Sequence, residues 1–318
     1  MSAAAGTVRA GSRSGASRRR RRAVLGAGPL EAALYVLPAA ALFAVFIVEP
    51  IVANIVSSLT GAHGRIELTN YTTAATDTVF RTAVGNSLLW VVVSVAFEIA
   101  IGFALAMLIE LHLPRGRAVF RTLLFLPMVI TPSVIALVFN TFYASNYGLL
   151  YGAFRAVGLG DAFPALLGSP STASLAIIAV NIWQWSGFFV LLYCVGIAAI
   201  DRELLDAAAI DGARGWNRVR HILWPLCHGT TTSLVVLGTI QALQQFPLIY
   251  LMTEGGPANS SQTLATYIFQ TGFSEDRMHY ASAVAVVLFL LALALVAIEY
   301  RLAGGGFSLS GKGGQARG

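Results

Sequence analysis

The sequence predicts an all-α membrane protein with six transmembrane helices and both termini in the cytoplasm. Hydrophobic residues make up 56% of the 318-residue chain and charged residues only 11%. The mean hydropathy is +0.71, which is too apolar for a typical soluble domain. Six apolar runs are long enough to cross a bilayer as helices, and basic residues cluster beside their ends on one side.

A helix of about 20 apolar residues crosses the roughly 30 Å hydrocarbon core of a bilayer. The six runs that meet this length lie at roughly 32–58, 84–109, 120–142, 173–199, 227–252 and 281–302. Several contain Pro or Gly, which membrane helices tolerate when neighbouring helices satisfy the freed backbone groups. The first run follows an Arg-rich stretch but is too long for a signal peptide, so we predict an uncleaved first span.

The basic residues set the orientation of these spans. All but four of the 21 Lys and Arg residues fall in the N-terminal tail, the second connection, the fourth connection and the C-terminal tail. The positive-inside rule places these four segments in the cytoplasm. The net charge of +6 therefore reflects membrane topology and does not indicate a nucleic-acid partner.

The domain organisation follows from the same pattern. Residues 1–29 and 304–318 are rich in Gly, Ser and Arg, which predicts disordered basic cytoplasmic tails. Residues 30–303 form one six-helix transmembrane domain. Within it, residues 201–225 are a charged cytoplasmic segment between the fourth and fifth spans, and we call this the polar segment.

The sequence contains no pattern typical of an enzyme or a metal site. The five histidines are scattered, no Ser lies in a GxSxG motif, and the two cysteines occur in or beside spans. Gly306–Gly313 approaches a phosphate-binding loop but has Gly313 where a hydroxyl is required. We expect no catalytic residue and no cofactor in this chain, so uphill transport would need an ion gradient or a partner that hydrolyses nucleotide.

Glu98 is the candidate for ion coupling, because it lies in the middle of the second predicted span. Ionisable residues at that depth often mark proton or ion pathways. No Lys, Arg or His lies within the same span. The main interpretation is a hydrogen-bonded or protonated carboxyl packed inside the bundle, and the alternative is a proton relay.

Neutral polar residues in the fourth and fifth spans are candidates for a solute path. Amides both donate and accept hydrogen bonds, and indole rings offer a broad apolar face to a sugar ring. Gln241 and Gln245 are four residues apart and should share a helix face. The alternative is that these amides bond one helix to another. The candidates are Asn181, Trp183, Gln184, Trp185, Gln241, Gln244, Gln245 and Phe246.

The residue pattern of the polar segment predicts a short helix around Asp206–Ala209, a turn at Asp211–Gly212, and a second helix from Arg214 to Leu223. Small residues let a helix seat in the groove of a partner. A plain interfacial linker between two spans is the alternative interpretation.

The polar segment also resembles a known motif. Asp206-Ala207-Ala208, Gly212 and Ile222-Leu223-Trp224-Pro225 are similar in type and spacing to the EAA motif of bacterial ABC importer permeases. Asp206 replaces the usual Glu, and Trp224 replaces the usual Leu. Further likenesses to the carbohydrate-uptake, maltose/glycerol-phosphate-type subfamily occur at Tyr35–Pro38 and Thr253–Pro257.

This resemblance implies a type I ABC importer permease fold in a bacterial inner membrane. The implied partners are a second permease subunit, an ABC ATPase dimer that binds ATP and Mg²⁺, an extracytoplasmic solute-binding protein and the lipid bilayer. The implied cargo is a sugar or sugar derivative, the alternatives being another solute or an ion-coupled carrier using Glu98. The residues assigned to ATPase coupling are Asp206, Ala207, Ala208, Asp211, Gly212, Arg218, Ile222 and Pro225.

Overall fold

The computed structural model describes residues 29–61, 64–113, 116–210, 213 and 215–303. These residues are mostly helical, and their β pairing is an isolated bridge between Thr60 and Ile66. Apart from Pro29, the predicted tails 1–29 and 304–318 lie outside the described residues. The chain divides between Asn54 and Ile55 into two compact units.

The first unit is a nearly continuous apolar helix. Helix α1 (Pro29–Phe43) continues through a π-helical turn (Ala44–Val48) into α2 (Glu49–Ser58), whose last residues belong to the second unit. Residues Ala33–Ser58 are long and apolar enough to span a membrane, and none of their most apolar window is buried. Exposed apolar side chains along a whole helix are typical of a surface that faces lipid or a partner helix.

The second unit begins with α3 (Thr69–Thr76) and the long helix α4 (Thr78–His112). Asp77 begins α4 because its side chain accepts hydrogen bonds from the N–H groups of Val79 at 2.8 Å and Phe80 at 3.3 Å. The 35 residues of α4 extend about 52 Å, which exceeds the thickness of a bilayer core.

The predicted span 120–142 is wrong as a single helix. The structure has α5 (Arg117–Val129) and α6 (Pro132–Tyr143), which meet at a bend of 91°. Thr131 is extended at φ −64° and ψ 142°, which is the conformation that a following proline imposes. The bend therefore follows from Pro132. The next helix in the chain is α7 (Leu149–Ala156).

Helix α8 (Ala173–Ala198) packs along both α4 and α5. Glycines allow these close contacts. A Cβ at Gly102 would lie 2.7 Å from Cβ of Phe189, and a Cβ at Gly187 would overlap the backbone oxygen of Leu124. Small residues at such crossings let membrane helices approach closely.

The rest of the chain consists of the polar segment and two further apolar helical regions. The polar segment contains α9 (Arg202–Ile210), α10 (Gly215–Arg218) and a π turn (Val219–Leu223) that continues into α11 (Trp224–Leu226). Then follow α12 (His228–Leu243), α13 (Pro247–Thr253), α14 (Leu264–Phe269), a π turn (Gln270–Ser274) and α15 (Met278–Leu302).

The structure corrects two more boundaries. The predicted span 227–252 consists of α12 and α13, bent by 41° before Pro247. The predicted helix 214–223 does not stop before Pro225, because the π turn runs directly into α11, which contains Pro225. Among the described residues, four continuous helices could cross a membrane, or six spans if each bent pair counts as one.

Candidate functional site

A buried polar network joins three helices at the centre of the second unit. Asn181 of α8 donates from Nδ2 to Oε1 of Glu98 on α4 at 3.0 Å. Its Oδ1 accepts from Nε2 of Gln241 at 3.1 Å and of Gln245 at 2.5 Å, both from the α12 region. Glu98 and Asn181 are fully buried. We call these four residues the amide network, and Asn181 is its hub.

Glu98 thus lies hydrogen-bonded inside the bundle. Its second carboxyl oxygen, Oε2, is buried and has no hydrogen-bond partner among the described residues. The packed-carboxyl interpretation describes this geometry. A role for Glu98 as a proton relay stays a prediction.

A cavity of about 440 Å³ lies beside the amide network. Its wall includes the side chains of five predicted solute-path residues, with Phe188 and Pro132 completing part of the apolar lining. The five are Gln184, Trp185, Gln241, Gln244 and Gln245. We call this space the amide cavity. Its volume lies within the range of small-molecule sites, and its mixture of aromatic faces and a few polar groups is typical of them.

Three predicted solute-path residues do not line the amide cavity. Asn181 is fully buried and contacts the lining residues Gln241 and Gln245. Trp183 lies elsewhere, half-exposed, with its ring 5.3 Å from that of Phe139. Phe246 packs its ring 5.2 Å from Tyr250. Trp183 is separated because it is two residues from Asn181, whereas Gln184 and Trp185 follow Asn181 by three and four and share its helix face.

The polar segment presents an exposed surface. Asp206 and Ala207 are exposed, and Ala208, Arg218 and Ile222 are partly buried, while Pro225 is exposed. Two large apolar side chains also face outward, with Ile210 at 87% and Trp216 at 72% exposure. The predicted coupling residues Asp211 and Gly212 lie outside the described residues.

A second cavity, of about 730 Å³, lies beneath the polar segment. Its lining includes Asp206, Trp216 and Arg218 from the segment, and Glu110 and Arg117 from the helices below. Glu110 forms ion pairs with Arg117 at 3.4 Å and with Arg121. The position of these arginines beside apolar runs predicts only membrane topology, so the ion pairs that link α4 to α5 were not predicted from the sequence.

Trp224 departs from the usual EAA pattern, and the structure gives it a contact. Its ring packs edge-on against Phe103 of α4, with centroids 5.2 Å apart. Phe103 in turn contacts Tyr193 of α8 at 5.4 Å. Such aromatic pairs stabilise beyond the area they bury. Trp224 therefore ties the end of the polar segment to the bundle.

The opposite end of α4 carries a polar cluster around Asp77. Oδ2 of Asp77 accepts from the hydroxyl of Tyr280 at 2.7 Å and from that of Tyr267. Burial raises the pKa of Asp77, but hydrogen bonds from the two tyrosines and from the N–H groups of Val79 and Phe80 outweigh it, so the pKa lies below 3.8. Burial and the hydrogen bond to Asp77 raise the pKa of Tyr267 to about 12.

We expect Asp77→Asn to destabilise the protein by about 1 kcal/mol at neutral pH, since it replaces the charged acceptor of the tyrosine hydrogen bonds by a neutral amide and removes the negative charge at the N-terminus of α4. The lowered pKa of Asp77 means that its stabilisation is present above its unfolded value of 3.8 and is lost as pH falls through the folded value. Thermal unfolding of purified wild type and variant should therefore differ at about pH 7 and converge toward about pH 3. Asp276→Asn, at an exposed carboxylate, is the control. A difference between wild type and Asp77→Asn that is independent of pH would contradict this role.

Comparison with known proteins decides the family. The sequence profile of the family described as "Binding-protein-dependent transport system inner membrane component" matches residues 98–302. The chain belongs to this family. As such an inner membrane component, it is a multi-pass permease of the ABC transporter class, and the polar segment and the amide cavity both lie within the matched region.

Relatives along nearly the full chain agree with this assignment. The Bacillus subtilis (strain 168) protein named "Probable ABC transporter permease protein YurN" is 36% identical over 275 residues, covering 84% of this chain and 94% of that protein. The "Lactose transport system permease protein LacF" of Rhizobium radiobacter is 31% identical over 84% of this chain and 92% of its own length.

The fold of this inner membrane component also matches a solved structure. A chain of a bacterial ABC transporter involved in the import of the acidic polysaccharide alginate superposes with a TM-score of 0.78. The match covers 92% of this chain and 98% of that chain at 23% sequence identity. At this identity, the likeness establishes the permease fold.

Proposed function

We propose that this permease serves an ATP-driven importer of a sugar or sugar derivative and forms half of its translocation path. The observation that carries the proposal is the amide cavity, where Gln184, Gln241 and Trp185 line a space of about 440 Å³. Glutamine amides suit hydroxyl groups and the indole ring suits the apolar face of a sugar. The lactose permease relative supports a sugar cargo, and the family description supports delivery by a solute-binding protein.

The proposed assembly contains a second permease subunit, an ABC ATPase dimer and an extracytoplasmic binding protein. In this assembly the chain has six spans, with α5–α6 and α12–α13 each counting as one bent span. Both termini and the polar segment face the cytoplasm of a bacterial inner membrane. ATP and Mg²⁺ are held by the ATPase, and this chain supplies no catalytic residue.

The polar segment is the proposed contact to the ATPase. It presents two exposed apolar side chains, Ile210 and Trp216, and the exposed small residue Ala207. Apolar side chains exposed on a segment that also carries charge are typical of a surface that a partner covers. Asp206, Ala208, Arg218, Ile222 and Pro225 flank this surface, and Asp211 and Gly212 are assigned to it from the motif alone.

Ala207→Leu tests this contact without disturbing the chain itself. Because Ala207 is exposed on α9, added volume would disrupt a docked partner but not the packing of the permease. We expect ATP hydrolysis by the tagged complex purified from the host to fall by about tenfold or more, since overpacking a close contact costs about 1–3 kcal/mol. Insertion of the permease in the membrane should be unchanged.

Ala156→Leu is the matched control, since Ala156 is also exposed at the end of a short helix, α7, outside the polar segment. It should retain the ATPase subunit and its activity. Full hydrolysis and intact association in the Ala207→Leu complex would refute docking at the polar segment. The sugar assignment has a separate readout. A strain lacking the chain should lose growth on at least one neutral sugar, and growth equal to wild type on all sugars supplied would refute it.

A further inference from the structure

A further cavity, of about 440 Å³, lies at the end of the second unit opposite the polar segment. Its lining comes from the end of α13, the connection between α13 and α14, and the π turn that follows α14. We call it the outer cavity. Helix α13 joins it to the amide cavity, since Pro247 at the start of α13 lines the amide cavity and Tyr250 and Thr253 line the outer cavity.

The connection that forms one wall of the outer cavity is fixed to the helices behind it. The backbone oxygen of Ser260 accepts from Nδ2 of Asn86 on α4 and from Oγ of Ser174 on α8, each at 2.9 Å. Glu254 and Asn259 have φ angles of 51° and 59°, which are uncommon for residues other than glycine. Such conformations persist where the surrounding structure enforces them, and they are frequent at ligand sites. The wall is therefore preorganised.

Three polar side chains of the lining are free to bind a solute. Among the described residues, the side chains of Glu254, Asn259 and Ser274 have no hydrogen-bond or ion-pair partner. Glu254 and Ser274 are exposed and Asn259 is partly exposed, so all three have accessible surface. No Lys or Arg occurs among the described lining residues. A carboxylate, an amide and a hydroxyl together can accept from and donate to the hydroxyl groups of a neutral solute.

A row of four contacting aromatic rings begins next to the amide cavity and reaches the outer cavity. Phe246 directly precedes Pro247, and its ring lies 5.2 Å from that of Tyr250. The ring of Phe269 lies 5.0 Å from Tyr250 and stacks on Phe273 at 5.3 Å. Phe273 is 69% exposed. We call these rings the aromatic row. Aromatic faces beside polar groups suit a sugar, which has both an apolar ring face and hydroxyl groups.

We propose that the outer cavity is a second binding site for a neutral sugar, with Glu254 and Asn259 binding its hydroxyl groups and the aromatic row contacting its ring. This inference rests on the proposed function. In the proposed topology the outer cavity opens on the extracytoplasmic side, so an incoming sugar meets it before the amide cavity. A sugar that leaves water must exchange its hydrogen bonds for others at each step, and two successive polar sites joined by aromatic rings provide them.

Protection of an introduced cysteine tests this site. Among the described residues, the native cysteines Cys194 and Cys227 are buried, so N-ethylmaleimide should react selectively with Ser274→Cys in the complex purified from the host in lipid nanodiscs. The mass of this chain measures the reaction. The probes are lactose, maltose, cellobiose and sucrose. At least one should slow the reaction about tenfold at a concentration ten times its Kd. Ala75→Cys, exposed on α3 outside the outer cavity, is the control and should react at an unchanged rate.

Two further changes in the Ser274→Cys chain assign the groups that bind the sugar. Glu254→Gln should raise the sugar concentration needed for half-protection by about tenfold, because hydrogen bonds to a charged acceptor become bonds to a neutral one. Phe273→Leu should raise it by about threefold, because the sugar loses an aromatic face. Glu67→Gln, at an exposed carboxylate outside the lining, should leave it unchanged. A purely structural effect would alter the reaction rate without sugar but not the concentration for half-protection.

The outcomes separate the outer site from the proposed function. Protection of Ser274→Cys by none of the four sugars overturns the outer site, as does equal protection of Ala75→Cys or half-protection that Glu254→Gln leaves unchanged. If growth on one of these sugars nevertheless depends on this chain, the sugar role stands and only the outer site is wrong. If no sugar supports growth that depends on this chain, the proposed sugar role fails on that measurement alone.

Discussion

Gly187→Ala should prevent α5 from packing on α8 and should cost about 3 kcal/mol or more of folding free energy, the upper end of what overpacking costs. Gly187 is buried in α8. A Cβ there would overlap the backbone oxygen of Leu124 and come within 2.9 Å of Cα of Phe125. Backbone atoms cannot rotate away as a side chain can, so the whole of α5 would have to move. Thermal unfolding of the purified protein measures this loss, and the level of folded protein in the membrane should fall with it.

Gly229→Ala is the matched control. Gly229 lies in α12, and a Cβ there would meet nothing within 4 Å. Because Ala favours helix over Gly, this change should be neutral or slightly stabilising, within about 1 kcal/mol. Equal unfolding temperatures for the two variants would show that α5 and α8 do not meet as closely as the structure has them.

The long apolar helical regions could be predicted from the sequence, but the bends within them could not be placed. Long apolar runs predict membrane helices because the bilayer sets one length and one polarity. Pro132 and Pro247 were visible in those runs. A proline can be absorbed by a transmembrane helix or can break it, and the outcome depends on neighbours that satisfy the freed backbone groups. The 91° and 41° bends therefore depend on tertiary contacts.

The sequence predicts those parts of the candidate site in which helical spacing alone determines which side chains share a face. The four-residue spacing of Gln241 and Gln245 predicts a shared face, and both reach Asn181 in the structure. The same rule separates Trp183 from Gln184, although both are candidates for the solute path. The meeting of Glu98 with Asn181, which are 83 residues apart, depends on how α4 packs against α8. No local pattern contains that information.

The ion pairs of Glu110 were not predicted from the sequence, for a different reason. Its partners Arg117 and Arg121 were assigned wholly to membrane topology, although a basic residue beside a span can also pair with an acidic one. Glu110 lies near the end of α4 and is 8% exposed, while Arg117 and Arg121 lie at the start of α5. A carboxylate and an arginine on either side of a short connection are a signal for such a pair, since the connection brings the two helix ends together.

Asn181→Leu should destabilise the permease by about 2–3 kcal/mol, because it removes the hub of the amide network while keeping a similar volume. Three groups lose their partner at once, namely Oε1 of Glu98 and Nε2 of Gln241 and Gln245. Each lost bond between membrane helices is worth about 1 kcal/mol, and the sum is large because one residue holds all three. Ser186→Ala on the same helix is the control, since the Ser186 hydroxyl donates to the backbone oxygen of Trp183 within its own helix at 3.2 Å.

A double-mutant cycle identifies the source of this loss. Glu98→Leu should also destabilise, because it leaves Nδ2 of Asn181 without its acceptor. If the two residues act through their shared hydrogen bond, the double variant Glu98→Leu with Asn181→Leu should cost less than the two single changes added together, by about 1 kcal/mol. Unfolding free energies that simply add would mean that Asn181 stabilises the bundle through packing.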